Sequence, residues 1–322
     1  MKKGLLVGVV LVTSMFVFSS LAMAAIETSG TIEWKIYGSN EKIDGDEVAS
    51  PIFKYGDVRM HYDVMLTTDS WEVLFAPRIR LDDDPQFIED DGSYIKAYMN
   101  SSSVMFKPRL DYAVFDVYSG IADGEANIPK EPGIKFDIPM KPLDMTLEAV
   151  VNSTAVYKNT GGTSGHGDME TKFNYGAGLT FAVAPLSVGV QFITTDVTSA
   201  IWYGSAYGAK LEVDLSPISL TAEFVTWSPE FWWCNDGSGV YGKVGYDLGA
   251  GLGNIALEYK GSDKNFNGVW MGPTDGDYSK LKGEYSYPLA PSVNMVVGVA
   301  KVNFGFGWGD FTEYELKFAA SL

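Results

Sequence analysis

Few side chains in this sequence are suited to acid–base, nucleophilic or metal chemistry. The chain has two histidines and one cysteine, Cys234. Ser164, His166 and Asp168 have the residue types of a hydrolytic triad, but they lie in a glycine-rich segment that would not hold three side chains in a fixed geometry. The single cysteine excludes an internal disulfide. We therefore predict that the protein is not an enzyme and has neither a cofactor nor a metal site.

A basic cluster is the more informative chemical feature. A turn at residues 67–70 separates two segments that would pair as a hairpin, and the pairing places Arg59 beside Arg78 and Arg80 on one face. Lys107 and Arg109 follow on a later segment. Like charges at this spacing repel, so these side chains should face water or an acidic partner. We predict that all five line a water-filled space.

The elements that carry these residues are strands, because apolar and polar residues alternate along most of the chain. In residues 58–66, for example, every second side chain is apolar. We count sixteen such segments, most of them about ten residues long, which is the length that a tilted barrel strand needs to cross a bilayer. The segments centre near Trp34, Met60, Phe75, Lys96, Phe106 to Val117, Phe136, Leu147, Tyr175, Val190, Lys210, Glu223, Val244, Leu257, Lys282, Val297 and Leu316.

Three of the segments are irregular. The alternation changes phase near Asp111 and Tyr112, which predicts a β-bulge. Pro77 and Pro108 should mark bulges or strand ends, because proline cannot donate a ladder hydrogen bond. For residues 293–304 the pattern does not show which face is apolar.

The connections between segments alternate in length. Seven short turns, such as those at residues 184–185 and 216–217, are interleaved with eight longer loops. This asymmetry is typical of an up-and-down membrane barrel with tight periplasmic turns and larger extracellular loops. Both ends of the barrel chain then lie on the periplasmic side, which requires an even number of strands.

The first residues predict export. Two lysines precede an apolar run from Gly4 to Phe18, and small residues at Ala22 and Ala24 form a cleavage site. The alternative, a transmembrane anchor, needs an apolar core of about 20 residues. We assign residues 1–24 to a signal peptide and residues 25–322 to a transmembrane β-barrel.

Alternation alone does not separate a membrane barrel from a soluble β-sandwich or propeller. The leader, the apolar face on nearly every segment and the strand at the chain's end favour the barrel. The net charge of −17 argues against nucleic-acid binding. Basic residues also concentrate on the polar faces, as a polar lumen requires: Lys35, Arg59, Arg78, Arg80, Lys96, Lys107, Arg109, Lys135, Lys141, Lys172, Lys210, Lys243, Lys260, Lys280, Lys282 and Lys317.

In this layout the sequence resembles the general porins of bacterial outer membranes. The resemblance rests on the leader, the sixteen segments and the closing strand at residues 311–322. Members commonly end in phenylalanine, whereas this chain ends in Leu322 with Phe318 four residues earlier. The resemblance implies a homotrimer in the outer membrane, in contact with its lipids and lipopolysaccharide, that lets ions and small hydrophilic solutes diffuse passively.

In that family the third long loop folds inward, faces a basic wall and narrows the channel. By count this loop is residues 119–133 here, and its acidic residues are Asp123, Glu125 and Glu131. An ordinary surface loop is the alternative. Other acidic clusters, at residues 44–47, 82–84 and 89–91, suit divalent ions that bridge to lipopolysaccharide phosphates.

Two classes of function follow from the sequence. The first is a passive pore whose acidic outer loops attract cations to the mouth. The second is a structural or adhesive surface protein whose barrel is plugged and whose loops bind a partner. A hydrolytic outer-membrane enzyme is a third and weaker hypothesis, because only His61 and His166 could act as histidine bases.

Overall fold

The computed structural model describes residues 25–43, 46–48, 55–81, 88–90, 92–114, 127–157, 169–195, 204–229, 236–249, 251–263, 277–304 and 309–321. These residues are strands and the turns between them. In this part of the chain, no helix is long and apolar enough to cross a membrane. The signal peptide assigned to residues 1–24 lies outside the described residues.

The strands form one antiparallel sheet that closes on itself as a sixteen-stranded barrel. Three of the sixteen strands, β2, β3 and β4, consist of two segments each. The bounds are β1 Ala25–Ile43; β2 Asp46–Val48 and Tyr55–Thr67; β3 Trp71–Phe75 and Pro77–Leu81; β4 Ile88–Asp90 and Tyr94–Met99; β5 Ser102–Ala113; β6 Asn127–Met140; β7 Met145–Tyr157; β8 Met169–Val183; β9 Leu186–Thr195; β10 Gly204–Leu215; β11 Ile218–Pro229; β12 Gly237–Asp247; β13 Asn254–Ser262; β14 Tyr278–Ala290; β15 Val293–Phe304; β16 Gly309–Ser321.

Each strand pairs with the next one in sequence, and the last pairs with the first. Closure runs from the Thr31–Ser321 pair to the Glu41–Phe311 pair, between β1 and β16. Fifteen of the sixteen predicted segment centres fall within these strands, and the fifth, at residues 106–117, begins in β5 and ends outside the described residues; the strand count and the up-and-down order are confirmed. All seven predicted tight turns are present, although two of them begin later than predicted, after Met140 and after Ala290, and all seven share one end of the barrel, called here the short-turn end.

The two faces of the sheet are sorted as a membrane barrel requires. Most of the apolar side chains point outward and remain exposed: the exposed fraction is 55% for Leu257 and 47% for Phe224. Polar side chains point inward, and Asn174 and Glu223 are buried. A soluble sandwich would bury the apolar face instead, so that alternative is wrong for this chain. For β15 the structure now identifies the outer face, which carries the exposed Val297.

Both prolines lie at irregularities, as predicted. Pro77 begins the second segment of β3. Pro108 lies in a register shift of β5, where the ladder passes from the Lys107–Gly133 pair to the Leu110–Glu131 pair. Two residues of β5 there face one residue of β6, which makes a bulge and turns the end of β5 toward the barrel interior.

The loop predicted over residues 119–133 extends too far, because Asn127–Met140 is a strand. Pro129, Pro132 and Gly133 resemble a loop in sequence. The strand tolerates these prolines because both fall at the two register shifts between β5 and β6, where regular ladder hydrogen bonds are missing.

Candidate functional site

The candidate site is the inner wall of the barrel, and its basic patch lies on β2 and β3. Arg59 pairs across the strands with Arg80, and His61 pairs with Arg78. The hairpin register therefore brings the three arginines to one height of one face, as the sequence analysis predicted. Arg59 and Arg78 are half-buried there. A pore-lining role for the three remains a prediction.

The two basic residues predicted on β5 occupy different positions. Lys107 pairs with Gly133 on the inward face and is half-buried. Arg109 lies in the bulge between the inward-facing Lys107 and Leu110, has no direct partner on β6, and is exposed. The bulge thus shifts the phase of the strand, and Leu110 rather than Arg109 continues the inner face.

The predicted acidic constriction is only partly described. Asp123 and Glu125 lie outside the described residues. Glu131 belongs to β6, where it pairs with Leu110 and is half-buried. Ser164, His166 and Asp168 also lie outside the described residues.

The end of β5 is packed against the inside of the barrel. Tyr112 reaches past β6 and donates a hydrogen bond from Oη to Glu148 Oε2 on β7, over 3.1 Å. Its ring lies on Gly176 of β8, where an added Cβ would be 2.7 Å from Tyr112 Cε1. Leu110 covers Gly133 in the same way, because a Cβ there would be 2.5 Å from Leu110 Cδ2. Absent side chains on β6 and β8 therefore make room for the end of β5.

Ion pairs that skip a strand cover the wall from β12 to β16. Lys282 Nζ on β14 lies 2.8 Å from Glu315 Oε2 on β16, and Lys280 Nζ lies 2.5 Å from Glu313 Oε2. The strand between them, β15, presents Gly298 and Ala300 at these heights. A Cβ on Gly298 would be 3.1 Å from Lys282 Cε. Small residues on β15 let the lysine side chains cross above it.

Other lysines of the wall are also paired. Lys135 contacts Glu148 at 2.7 Å, Lys210 contacts Glu212 at 2.9 Å, and Lys317 contacts Glu33 at 2.5 Å. The sequence analysis placed these basic residues on the polar faces of the strands but did not identify which charges pair. The sequence does carry a sign of these pairs, because strands with charged inward residues alternate with strands whose inward residues are small.

A tyrosine pair completes the described wall near the short-turn end. Glu72 of β3 accepts hydrogen bonds from the hydroxyls of Tyr94 and Tyr98 on β4. Lys96 Nζ lies 5.2 Å from the centroid of the Tyr98 ring. This cluster supports the β3–β4 hairpin and was not found from the sequence.

These groups are suited to solvating and steering polar solutes. Paired lysines and carboxylates on a concave wall offer hydrogen-bond donors and acceptors without a large net charge. In the described part of the chain, no three His, Cys, Asp or Glu side chains form a group that could hold a metal ion.

Comparisons with known proteins identify the fold. No protein-family model matches the sequence, and no curated protein sequence matches it. Solved structures of similar fold do match. An anion-selective porin from Comamonas acidovorans has a TM-score of 0.62 at 9% identity, and the match covers 93% of this chain and 100% of that one. Salmonella typhi OmpF, solved with daunomycin, has a TM-score of 0.61 at 11% identity, over 93% and 100%. A loop-deletion mutant of Vibrio cholerae OmpT has a TM-score of 0.59 at 10% identity, over 93% and 99%.

Proposed function

We propose that this chain, which has the fold of sixteen-stranded porins, is an outer-membrane channel for passive diffusion of ions and small hydrophilic solutes. One observation carries the proposal: the closed barrel has most of its apolar side chains outside and its charged wall side chains inside. Lipid accepts the first surface and water the second. The solved structures of similar fold are porins, which supports the same function.

The proposed channel attracts cations at its outer mouth. The chain carries a net charge of −17, while the described lysines of the inner wall are largely paired with carboxylates. The excess acidic charge therefore belongs mainly to the connections beyond the wall, where it raises the local concentration of cations. Arg59, Arg78 and Arg80 oppose this preference inside the lumen.

The likeness to porin folds supports a proposed assembly and location. Residues 1–24 would direct export and be removed, and residues 25–322 would insert as a homotrimer in the outer membrane. The outer surface would contact lipid, and the long connections would meet lipopolysaccharide. The similar folds are those of channels, so we propose no catalytic activity.

Single-channel recording of the refolded protein in a planar bilayer tests the proposal. We expect stepwise, ohmic conductance and, under a salt gradient, a reversal potential that shows cation preference. Anion preference would contradict the cation-attracting mouth. A correctly folded barrel that inserts without conducting would contradict the channel and favour the structural or adhesive alternative.

A further inference from the structure

The inner wall contains a recess at the short-turn end of β11 to β16. It has a volume of about 790 Å³, within the usual range of sites for small ligands. Its floor consists of small residues, among them Ser219, Gly245, Ala256 and Ser286. A Cβ on Gly245 would lie 2.5 Å from Ser219 Oγ, so the absence of a side chain there keeps the floor low.

Charges surround this floor in a definite order. Toward the middle of the barrel the recess is bounded by a belt of alternating charges: Lys243 on β12, Glu284 and Lys282 on β14, and Glu315 and Lys317 on β16. Lys282 is firmly held, at 2.6 Å from Glu284 and 2.8 Å from Glu315.

Lys243 is the most weakly paired cation of the belt. Its Nζ lies 4.0 Å from Glu284 Oε2, at the limit of an ion pair, and its side chain is 40% exposed, against 17% for Lys282. A loosely paired lysine can turn to a ligand carboxylate at little cost, whereas Lys282 would first have to give up two short contacts.

The opposite edge of the recess is acidic. Asp214 is the penultimate residue of β10 and Asp247 is the last residue of β12; both are exposed, and both line the recess. Within the described residues, no cation forms an ion pair with either carboxylate. Asp247 Oδ1 accepts a hydrogen bond from the N–H of Gly249, which fixes this carboxylate at the rim.

We infer that this recess is a docking site for small zwitterionic solutes, short peptides above all, and this inference rests on the proposed channel function. Lys243 and Asp247 are four residues apart on β12, which corresponds to about 13 Å of strand. An extended tripeptide spans about 10 Å between its termini, and the lysine side chain covers the difference. The ammonium group meets Asp247 and Asp214, and the carboxylate meets Lys243.

Both kinds of edge are needed for this selectivity. A neutral sugar would find hydrogen-bond partners in the recess, but it carries no charges with which the two edges could form ion pairs. A simple anion or cation would be attracted to one edge and repelled by the other. Only a solute with separated opposite charges gains at both edges at once.

The test uses triglycine as the probe and triglycine capped by acetyl and amide groups as its uncharged match. Titration calorimetry on the refolded barrel measures binding, and bilayer recording with peptide added on the short-turn side measures blockade of the ion current. We expect triglycine to bind and block, and capped triglycine to do neither. Lys243→Gln and Asp247→Asn should each weaken binding about tenfold, which equals about 1.4 kcal/mol.

Lys280→Gln is the matched control, because Lys280 is a paired lumen lysine outside the recess. It should leave triglycine binding unchanged, and Lys243→Arg should retain it. Equal binding of the capped peptide, no binding of triglycine, or an equal loss in Lys280→Gln would overturn the inference. Calorimetric binding in a barrel that does not conduct would refute the channel but retain the site.

Discussion

At the scale of single residues, the inner wall depends on positions that carry no side chain. Gly176 is the clearest case, since an added Cβ would lie 2.6 Å from Val150 Cγ2 and 2.7 Å from Tyr112 Cε1. Gly176→Ala should therefore lower the free energy of unfolding by about 1–3 kcal/mol, the usual cost of overpacking. Gly242→Ala is the control, because nothing lies within 4 Å of its added Cβ. Urea unfolding in detergent measures both, and equal effects would show that Tyr112 is not packed on Gly176.

The basic patch allows a second prediction at this scale. Replacing Arg78 and Arg80 together with glutamine removes two of the three clustered positive charges and should raise the cation preference of the channel. A lumen wall tolerates polar exchange, so folding should be little affected. Reversal potentials in a salt gradient measure the change. Lys141→Gln is the control, because Lys141, which the sequence analysis placed on a strand face, lies in an exposed turn. An unchanged selectivity in a conducting mutant would place the patch away from the narrow part of the lumen.

The residue types of the site could be predicted better than their contacts. The turn at residues 67–70 fixed the hairpin register and hence the arginine cluster, because a short turn leaves few possible pairings. The ion pair between Lys282 and Glu315 joins strands that are not neighbours. Such a pair depends on the curvature of the closed barrel and on the small Gly298 between the strands, and neither is visible in one strand's pattern.

At the scale of elements, one extra residue in β5 decides where that strand ends. Deleting Arg109 would leave Pro108 alone opposite one residue of β6 and so would remove the bulge. Lys107, Leu110 and Tyr112 would then alternate regularly and keep their inward phase, but the bend that the bulge gives to the end of β5 would be lost. We expect Tyr112 to move away from Glu148 and the single-channel conductance to rise, because the end of β5 would no longer be bent onto the inner wall. Arg109→Gly keeps the chain length and should conduct as the parent does; an unaltered conductance in the deletion would contradict this account.

The prediction of strands succeeded where the alternation of apolar and polar residues was regular and failed where it was interrupted. Period-2 patterns gave all sixteen strand positions, since a wall with lipid on one side and water on the other imposes that period. The start of β6 was missed because Pro129 and Pro132 are typical of loops. Only the pairing with β5 shows that these prolines fall at register shifts, where no hydrogen bond is lost.

At the scale of the whole molecule, a charge placed on the apolar outer surface tests whether lipid surrounds the barrel. Leu257→Lys places a charge on the outer face of β13, where lipid contact should cost about 2–4 kcal/mol near the bilayer midplane. Thr221→Lys places the same charge on the inner face of β11 and should cost much less. Folding into lipid vesicles at a series of urea concentrations measures both variants. If Leu257→Lys folds as readily as Thr221→Lys, the outer face is not in contact with lipid.

The barrel could be predicted as a whole because the constraints reinforce each other. An even number of strands, alternating turn lengths and one apolar face are each ambiguous, but together they leave few architectures. What the sequence does not contain is the shape of the lumen. The recess bounded by Lys243 and Asp247 depends on side chains from several strands, and no single strand's pattern shows it.

The strand-skipping ion pairs have a mechanical consequence. Ladder hydrogen bonds join only adjacent strands, so they act as hinges about which a barrel wall can flex. The ion pair between Lys282 on β14 and Glu315 on β16 crosses the hinge at β15. The ion pair between Lys280 and Glu313 crosses the same strand again, two residues along. Each pair is a cross-brace on the inside of the curve. Outward flexing of this arc must stretch the braces, so they oppose any flattening of the wall that would widen the bore of the channel.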